Sequence, residues 1–168
     1  MSAGSNSLDF VGLLRRNGGR SFAMISQTSE YALRAIVWLA DHGDEPQTTQ
    51  GIAQSTRVPA GYLSKVLQAL GRARLVQSQR GLHGGFMLLR DAEEITVLDV
   101  INAVDPIRRI ESCPLKIESH GKHLCPLHRR IDDAIGSIEH AFGDTTIAEL
   151  LAEPNTSRPL CDVTVGGD

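Results

Sequence analysis

The sequence has no apolar run near the ~20 residues that a membrane-spanning helix requires. Its only apolar patch close to the start, Phe10 to Leu14, is short, follows Asp9 and has Arg15 and Arg16 behind it. An export signal carries its basic residues in front, so none is expected here. Cysteine is scarce, and an odd count of three does not make a disulfide framework. The expectation is a soluble, cytoplasmic protein with no membrane partner, whose reduced thiols are inert or metal-bound. A phosphate loop is also missing. The glycine-rich turn Arg80 to Phe86 matches neither G-x-x-x-x-G-K-[ST] nor G-x-G-x-x-G, and it precedes a strand rather than a helix. Catalytic machinery is absent as well: Cys125 and His128 are close in sequence, but no orienting acid or oxyanion element accompanies them. The expectation is therefore no enzyme.

The most informative absence is that of acid. Between Pro46 and Arg90 there is no Asp or Glu, while Arg57, Lys65, Arg72, Arg74, Arg80 and Arg90 all fall there. The window carries +6 in a chain of net charge −3, which leaves −9 for the rest. A basic module inside an acidic protein points to a polyanionic partner. With 168 residues the chain is about one domain with an arm, large enough to bury its own core.

Residues 1–23, rich in Ser and Gly, read as a flexible extension, with Met24 as an alternative start. Ser29 is expected to cap a first helix whose apolar positions Tyr31, Ala32, Ala35, Ile36, Leu39 and Ala40 keep helical spacing. His42, Gly43 and Pro46 end it. Thr48 or Thr49 caps a second helix, Gln50 to Ser55, and Arg57-Val58-Pro59 makes the turn. A third helix runs from Ala60 to Ala73 on a core stripe of Leu63, Val66, Leu67 and Leu70. Its other face carries Ser64, Lys65, Gln68 and Arg72. Strands at 75–79 and 86–89 around the glycine turn make a hairpin. Thr96 caps a helix to Ala103, and 107–123 reads as irregular. A long helix, Pro126 to Phe142, carries the stripe Leu127, Ile131, Ala134, Ile135, Ile138 and Phe142, longer than a small domain covers and so read as a dimerisation helix. Thr145 or Thr146 caps a last helix to Leu151, and 153–168 reads as a flexible tail.

Two short helices, a tight turn, a third helix and a hairpin describe a winged helix-turn-helix. The fold class expected is mainly α with a small β-hairpin. The winged helix-turn-helix spans 24–92. A linker helix, a Cys/His loop and a long C-terminal dimerisation helix occupy 93–152. In such a fold the third helix enters the major groove and the wing reaches the backbone or minor groove of double-stranded DNA. Lys65, Gln68 and Arg72 suit phosphates and base edges, Arg80 the wing tip, and His83 a phosphate. Arg74 and Arg90 stay open between structural and DNA-contacting roles.

The other chemistry lies between Cys113 and His128. Two thiols and three imidazoles (His120, His123, His128) within sixteen positions exceed what a surface loop needs. Cys125 and His128 are three apart at a helix start and share one turn. Pro126 suits the first helical position, and the positive end of the helix dipole favours negative charge at Cys125. An iron–sulfur cluster, a zinc site, and two thiols with ordinary surface histidines all remain open from spacing alone.

Several motifs taken together carry a resemblance: Ser29-Glu30-Tyr31-Ala32-Leu33-Arg34, Gly61-Tyr62-Leu63, Leu75-Val76 with Arg80-Gly81-x-x-Gly84-Gly85-Phe86, Ile101-x-Ala103-Val104 and Thr146-Ile147-Ala148-Glu149-Leu150-Leu151. On these residues the stretch 24–152 resembles the Rrf2 family of bacterial winged-helix transcription regulators (IscR/NsrR-like). The resemblance implies a homodimer on a partly palindromic operator, usually a repressor. It implies DNA contacts at Tyr62, Ser64, Lys65 and Arg80. It also implies cluster ligands at Cys113, Cys125 and His128. Ser119 stands where cluster-binding members have a middle cysteine, so the fourth ligand is expected from His120, His123 or the partner's Glu30. A two-iron two-sulfur cluster suits such mixed ligation, sensing redox state, nitric oxide or cluster supply. The alternatives are the same regulator with zinc, a thiol switch or a small ligand at the loop, and a winged-helix protein adaptor.

Overall fold

The computed structural model describes residues 25–81, 84–113 and 123–154. The expected arm, His83, Ser119, His120, Cys161 and nearly all of the expected tail lie outside them. Among the described residues six helices and two strands follow in order: α1 (Gln27–Asp41), α2 (Thr49–Thr56), α3 (Ala60–Arg72), β1 (Val76–Gln79), β2 (Gly85–Leu88), α4 (Val97–Val104), α5 (Pro126–Gly143) and α6 (Ile147–Ala152). No helix among the described residues is long and apolar enough to cross a membrane.

Helix α1 is the centre of the molecule, packed against α2, α3, α4 and α6. Its inward face is Ala32, Ala35, Ile36, Val37 and Leu39. The cap differs from expectation. Ser26, not Ser29, closes the first turn by accepting the Ser29 amide at 3.2 Å. Two serines three apart offer the same hydroxyl. The earlier one wins because Ser29 falls on the buried face, with its own hydroxyl 3.1 Å from that of Ser26. Thr48 caps α2 through the Gly51 amide at 3.1 Å. Helix α3 starts at Pro59, whose carbonyl accepts from both Tyr62 and Leu63 at 2.9 Å. Leu63, Val66, Leu67 and Leu70 are all buried, as their spacing predicts.

The strands β1 and β2 pair antiparallel, from Val76 opposite Leu88 to Gln79 opposite Gly85. Gln47, in the turn between α1 and α2, adds a one-residue third strand: it exchanges both backbone hydrogen bonds with Phe86 at 2.8 Å. That pairing explains a glycine. A Cβ on Gly85 would lie 2.5 Å from the Gln47 carbonyl oxygen, so no side chain fits while the wing is docked.

Capping boxes at Thr96/Asp99 and Thr146/Glu149 start α4 and α6. The two caps face each other across a backbone bridge, with the Val97 amide on Thr145 O and the Ile147 amide on Ile95 O, both at 2.9 Å. Val97, Val100, Ile101 and Ile147 thereby join the same core as α1–α3. Helix α5 lies at the edge of this core: none of its residues is buried, and Phe142 near its end packs against the core. Leu127 is 64% exposed and Ile131 43%.

Candidate nucleic-acid interface and thiol–imidazole site

The outer face of α3 presents Lys65, Gln68 and Arg72 to solvent, with Arg80 exposed just past β1. Ser64 is half-buried, and its hydroxyl donates to Ala60 O at 3.0 Å, one turn back on its own helix. Tyr62 is 44% exposed. Its hydroxyl meets Thr28 Oγ1 at 3.1 Å, and its ring stands edge-on to Tyr31 at 5.6 Å. Thr28 therefore joins Tyr62 and Lys65 around a cleft of about 280 Å³ between the start of α1 and α3. Thr28 is not legible as a site residue in sequence, because it lies 34 positions from its partner.

The six cations of the acid-free window divide. Arg90 is structural: it donates to Glu94 O at 2.5 Å and lies 3.8 Å from Asp99. Arg57 and Arg74 adopt left-handed backbone, with φ of 55° and 59°, at the ends of α2 and α3. Glycine ordinarily fills such positions.

The second site forms where the segment after α4 crosses the start of α5. Cys125 is the N-cap of α5 and Pro126 its first residue, as expected. The His128 Nδ1 lies 3.2 Å from Cys125 Sγ and 3.9 Å from Cys113 Sγ. Cys113 is buried, and Cys125 is half-buried. The three residues expected as ligands are thus brought together. Among the described residues, however, no group of three donors is arranged as a ready metal site. The contacts still suit one. A nitrogen and a sulfur bound to one tetrahedral metal lie about 3.6 Å apart, as bond lengths near 2.0 and 2.3 Å require. The two N–S separations bracket that value.

A clamp that sequence reasoning missed sets this register. Arg109 donates to Asp132 through Nε at 2.8 Å and Nη2 at 2.5 Å, and the Ile110 amide adds a third bond at 2.8 Å. Glu139 stands 3.5 Å from the same guanidinium. Asp132 is one helical turn beyond His128, and Ile110 is three residues before Cys113. The clamp therefore lays the segment along α5 with Cys113 over His128. The Arg109 hydrogen bonds, then the Ile110 amide, hold the Asp132 carboxyl below its usual value, and Asp132 raises Arg109 in turn. Of the fourth-ligand candidates, His123 is exposed just before α5. Glu30 is on α1, ion-paired with Arg34, whose Nη1 donates to Thr56 O.

Comparison with known proteins decides the family. Residues 25–153 match the model of the Rrf2 family, described as iron-dependent transcriptional regulator. The chain belongs to the Rrf2 family of transcriptional regulators. It is 33% identical over 130 residues to the transcriptional regulator CymR of Bacillus subtilis, covering 76% of this chain and 89% of that one. It is 30% identical over 135 residues to IscR of Photobacterium profundum, covering 80% and 78%. The solved structure of CymR, titled the global cysteine regulator of B. subtilis, superposes with a TM-score of 0.62 at 29% identity, over 78% of this chain and 98% of that one. The winged helix is the shared fold. The relatives are transcriptional regulators rather than enzymes.

Proposed function

We propose that this Rrf2-family regulator is a homodimeric operator-binding repressor whose Cys113, Cys125 and His128 hold an iron–sulfur cluster, two-iron two-sulfur in type. The observation that carries the sensing part is the meeting of those three donors at the start of α5, 3.2 and 3.9 Å apart through His128 Nδ1. When bound, such a cluster supplies a redox- and nitric-oxide-sensitive centre. The chain's own residues do the rest. Cys125 and His128 bind from one helical turn, and Cys113 binds from the segment that Arg109 and Asp132 fasten to α5. The fourth donor comes from His120, His123 or Glu30 of the partner subunit.

Helix α5 is the proposed dimer contact, because Leu127 and Ile131 open an apolar stripe to solvent. Two copies joined there set the spacing of their α3 helices, which must match half-sites one helical turn, ~34 Å, apart. Tyr62, Ser64, Lys65, Gln68 and Arg72 lie on the reading helix, Arg80 follows β1 in the wing, and His83 is assigned to the same contact surface from its place in the sequence. A change at the Cys–His site acts on the helix that carries the dimer contact, and so on that spacing.

The test is anaerobic reconstitution followed by iron, sulfide and zinc assay with a visible spectrum. Iron and sulfide with visible absorbance are expected, lost in Cys113→Ser and Cys125→Ser and kept in Cys161→Ser. A colourless, iron-free protein overturns the cluster. A second reading, the same regulator without a cluster, has its own support: among the described residues no group of three or more donors is arranged as a ready metal site. The relative CymR is moreover titled a cysteine regulator. One zinc per chain with no sulfide would favour it. Arg80→Ala should weaken duplex binding without unfolding the dimer.

A further inference from the structure

Between the C-terminal half of α3 and the wing lies an open cleft of about 630 Å³. Its polar rim is Arg72, Arg74, Gln77 and Ser78, and Val76 and Phe86 form part of its apolar lining. We propose that this cleft receives the sugar–phosphate backbone of one strand of duplex DNA, with Arg74 as a dedicated phosphate contact. The inference rests on the DNA-binding reading above and extends it to residues outside the reading helix and wing tip.

Three observations carry it. First, Arg74 has φ of 59° at the end of α3, a left-handed position where glycine is the low-strain residue. The backbone here closes the helix, with the Leu75 amide on Leu70 O at 3.0 Å and the Arg74 amide on Gly71 O at 3.1 Å. The turn needs that backbone, and it does not need an arginine side chain. Second, among the described residues no ion pair or side-chain hydrogen bond of Arg74 repays the strain. Arg74 is exposed, and among the described residues neither it nor Arg72 pairs with a carboxylate. The acid-free window means that no Asp or Glu adjoins them in sequence either. An unrepaid backbone outlier is a pointer to function.

Third, the cleft is in the right place. Gln68 and Arg72 belong both to the exposed face of α3 and to the wall of the cleft, so it opens beside the reading helix. A helix in the major groove is flanked by phosphate ridges, and on its wing side the ridge separates it from the groove that the wing enters. Two guanidinium groups, a hydroxyl and an amide are common phosphate ligands, and the apolar lining suits deoxyribose.

The experiment uses the full chain and a fluorescein-labelled mixed-sequence duplex of thirty base pairs. Anisotropy titrations run between 50 and 200 mM NaCl, alongside thermal melting without DNA. Arg74→Gly should melt higher, by about 2–6 °C, because the strain is relieved. It should also bind more weakly, and the slope of log affinity against log salt should flatten by about 0.9, the signature of one lost phosphate contact. Arg74→Lys should keep slope and melting temperature near those of the natural chain. Opposite movement of stability and affinity is what a merely structural arginine does not produce. A variant that binds with unchanged affinity and slope, or one that loses stability and affinity together, overturns the cleft while leaving the DNA reading intact. A natural chain that ignores the duplex at every salt overturns the DNA reading and this inference with it.

Discussion

Arg109 grips both carboxylate oxygens of Asp132 across the crossing of the post-α4 segment and α5, and the Ile110 amide shares one of them. The bond is side chain to side chain over 23 positions, and it fixes where Cys113 meets His128.

Asp132→Asn should release that segment. The expected outcome is Cys113 alkylation faster by about tenfold, since local opening then controls access to a buried thiol. Melting of the winged-helix core should change little. Equal alkylation rates in both proteins would show that Cys113 is held by other contacts.

The clamp also has a pH signature. The Asp132 carboxyl is depressed in the folded chain, chiefly by Arg109. Its contribution is therefore complete above the unfolded value, ~3.9. It is lost as pH falls through the lower folded value. The Ile110 amide proton should titrate with a midpoint below the ordinary carboxylate range by NMR, and the titration should vanish in Asp132→Asn.

Gly85→Ala should undock the wing, because the new methyl would meet Gln47 backbone at 2.5 Å. A cost of about 1–3 kcal/mol in denaturant unfolding is expected. DNA binding should weaken with it. Gly61→Ala, where nothing lies within 4 Å, is the control and should not destabilise.

Ile147→Ala should cost about 2–5 kcal/mol, as for a core isoleucine, although it lies 59 residues beyond Leu88, the last wing residue packed against the core. A cost under ~1 kcal/mol would mean that α6 is an appendage rather than a part of the core.

Leu127→Glu with Ile131→Glu should give monomers by sedimentation, because a dimer packed on α5 would bury four carboxylates. Operator affinity should fall by about 100-fold or more once half-sites bind singly. A dimer that survives both changes places its contact elsewhere.

Much of the fold was legible because it is local. Thr96 caps as its spacing indicates, Thr48 and Thr146 cap out of the open pairs Thr48/Thr49 and Thr145/Thr146, and the α3 stripe is buried residue for residue. Ser26 against Ser29 was ambiguous since either hydroxyl could serve. The Gln47–Phe86 pairing and the Arg109–Asp132 fork leave no periodic trace, because they join residues far apart in the chain. Cys125 and His128 were legible as one turn. That Cys113 closes on them was expected from resemblance, and the fork that brings it there was not. Arg57 and Arg74 escaped for a different reason: sequence patterns look for glycine where the backbone turns left-handed.

Thr96 and Thr146 sit side by side, so the 49 residues between them leave and return through a single doorway. Whatever stands at 107–123 can lengthen, shorten or change its donors while both jambs of that doorway stay where they are. Such an arrangement lets one DNA-reading head be fitted with many sensors over evolutionary time. Here the segment leaves the core through α4 and comes back to it through the end of α5, where Phe142 packs against the core.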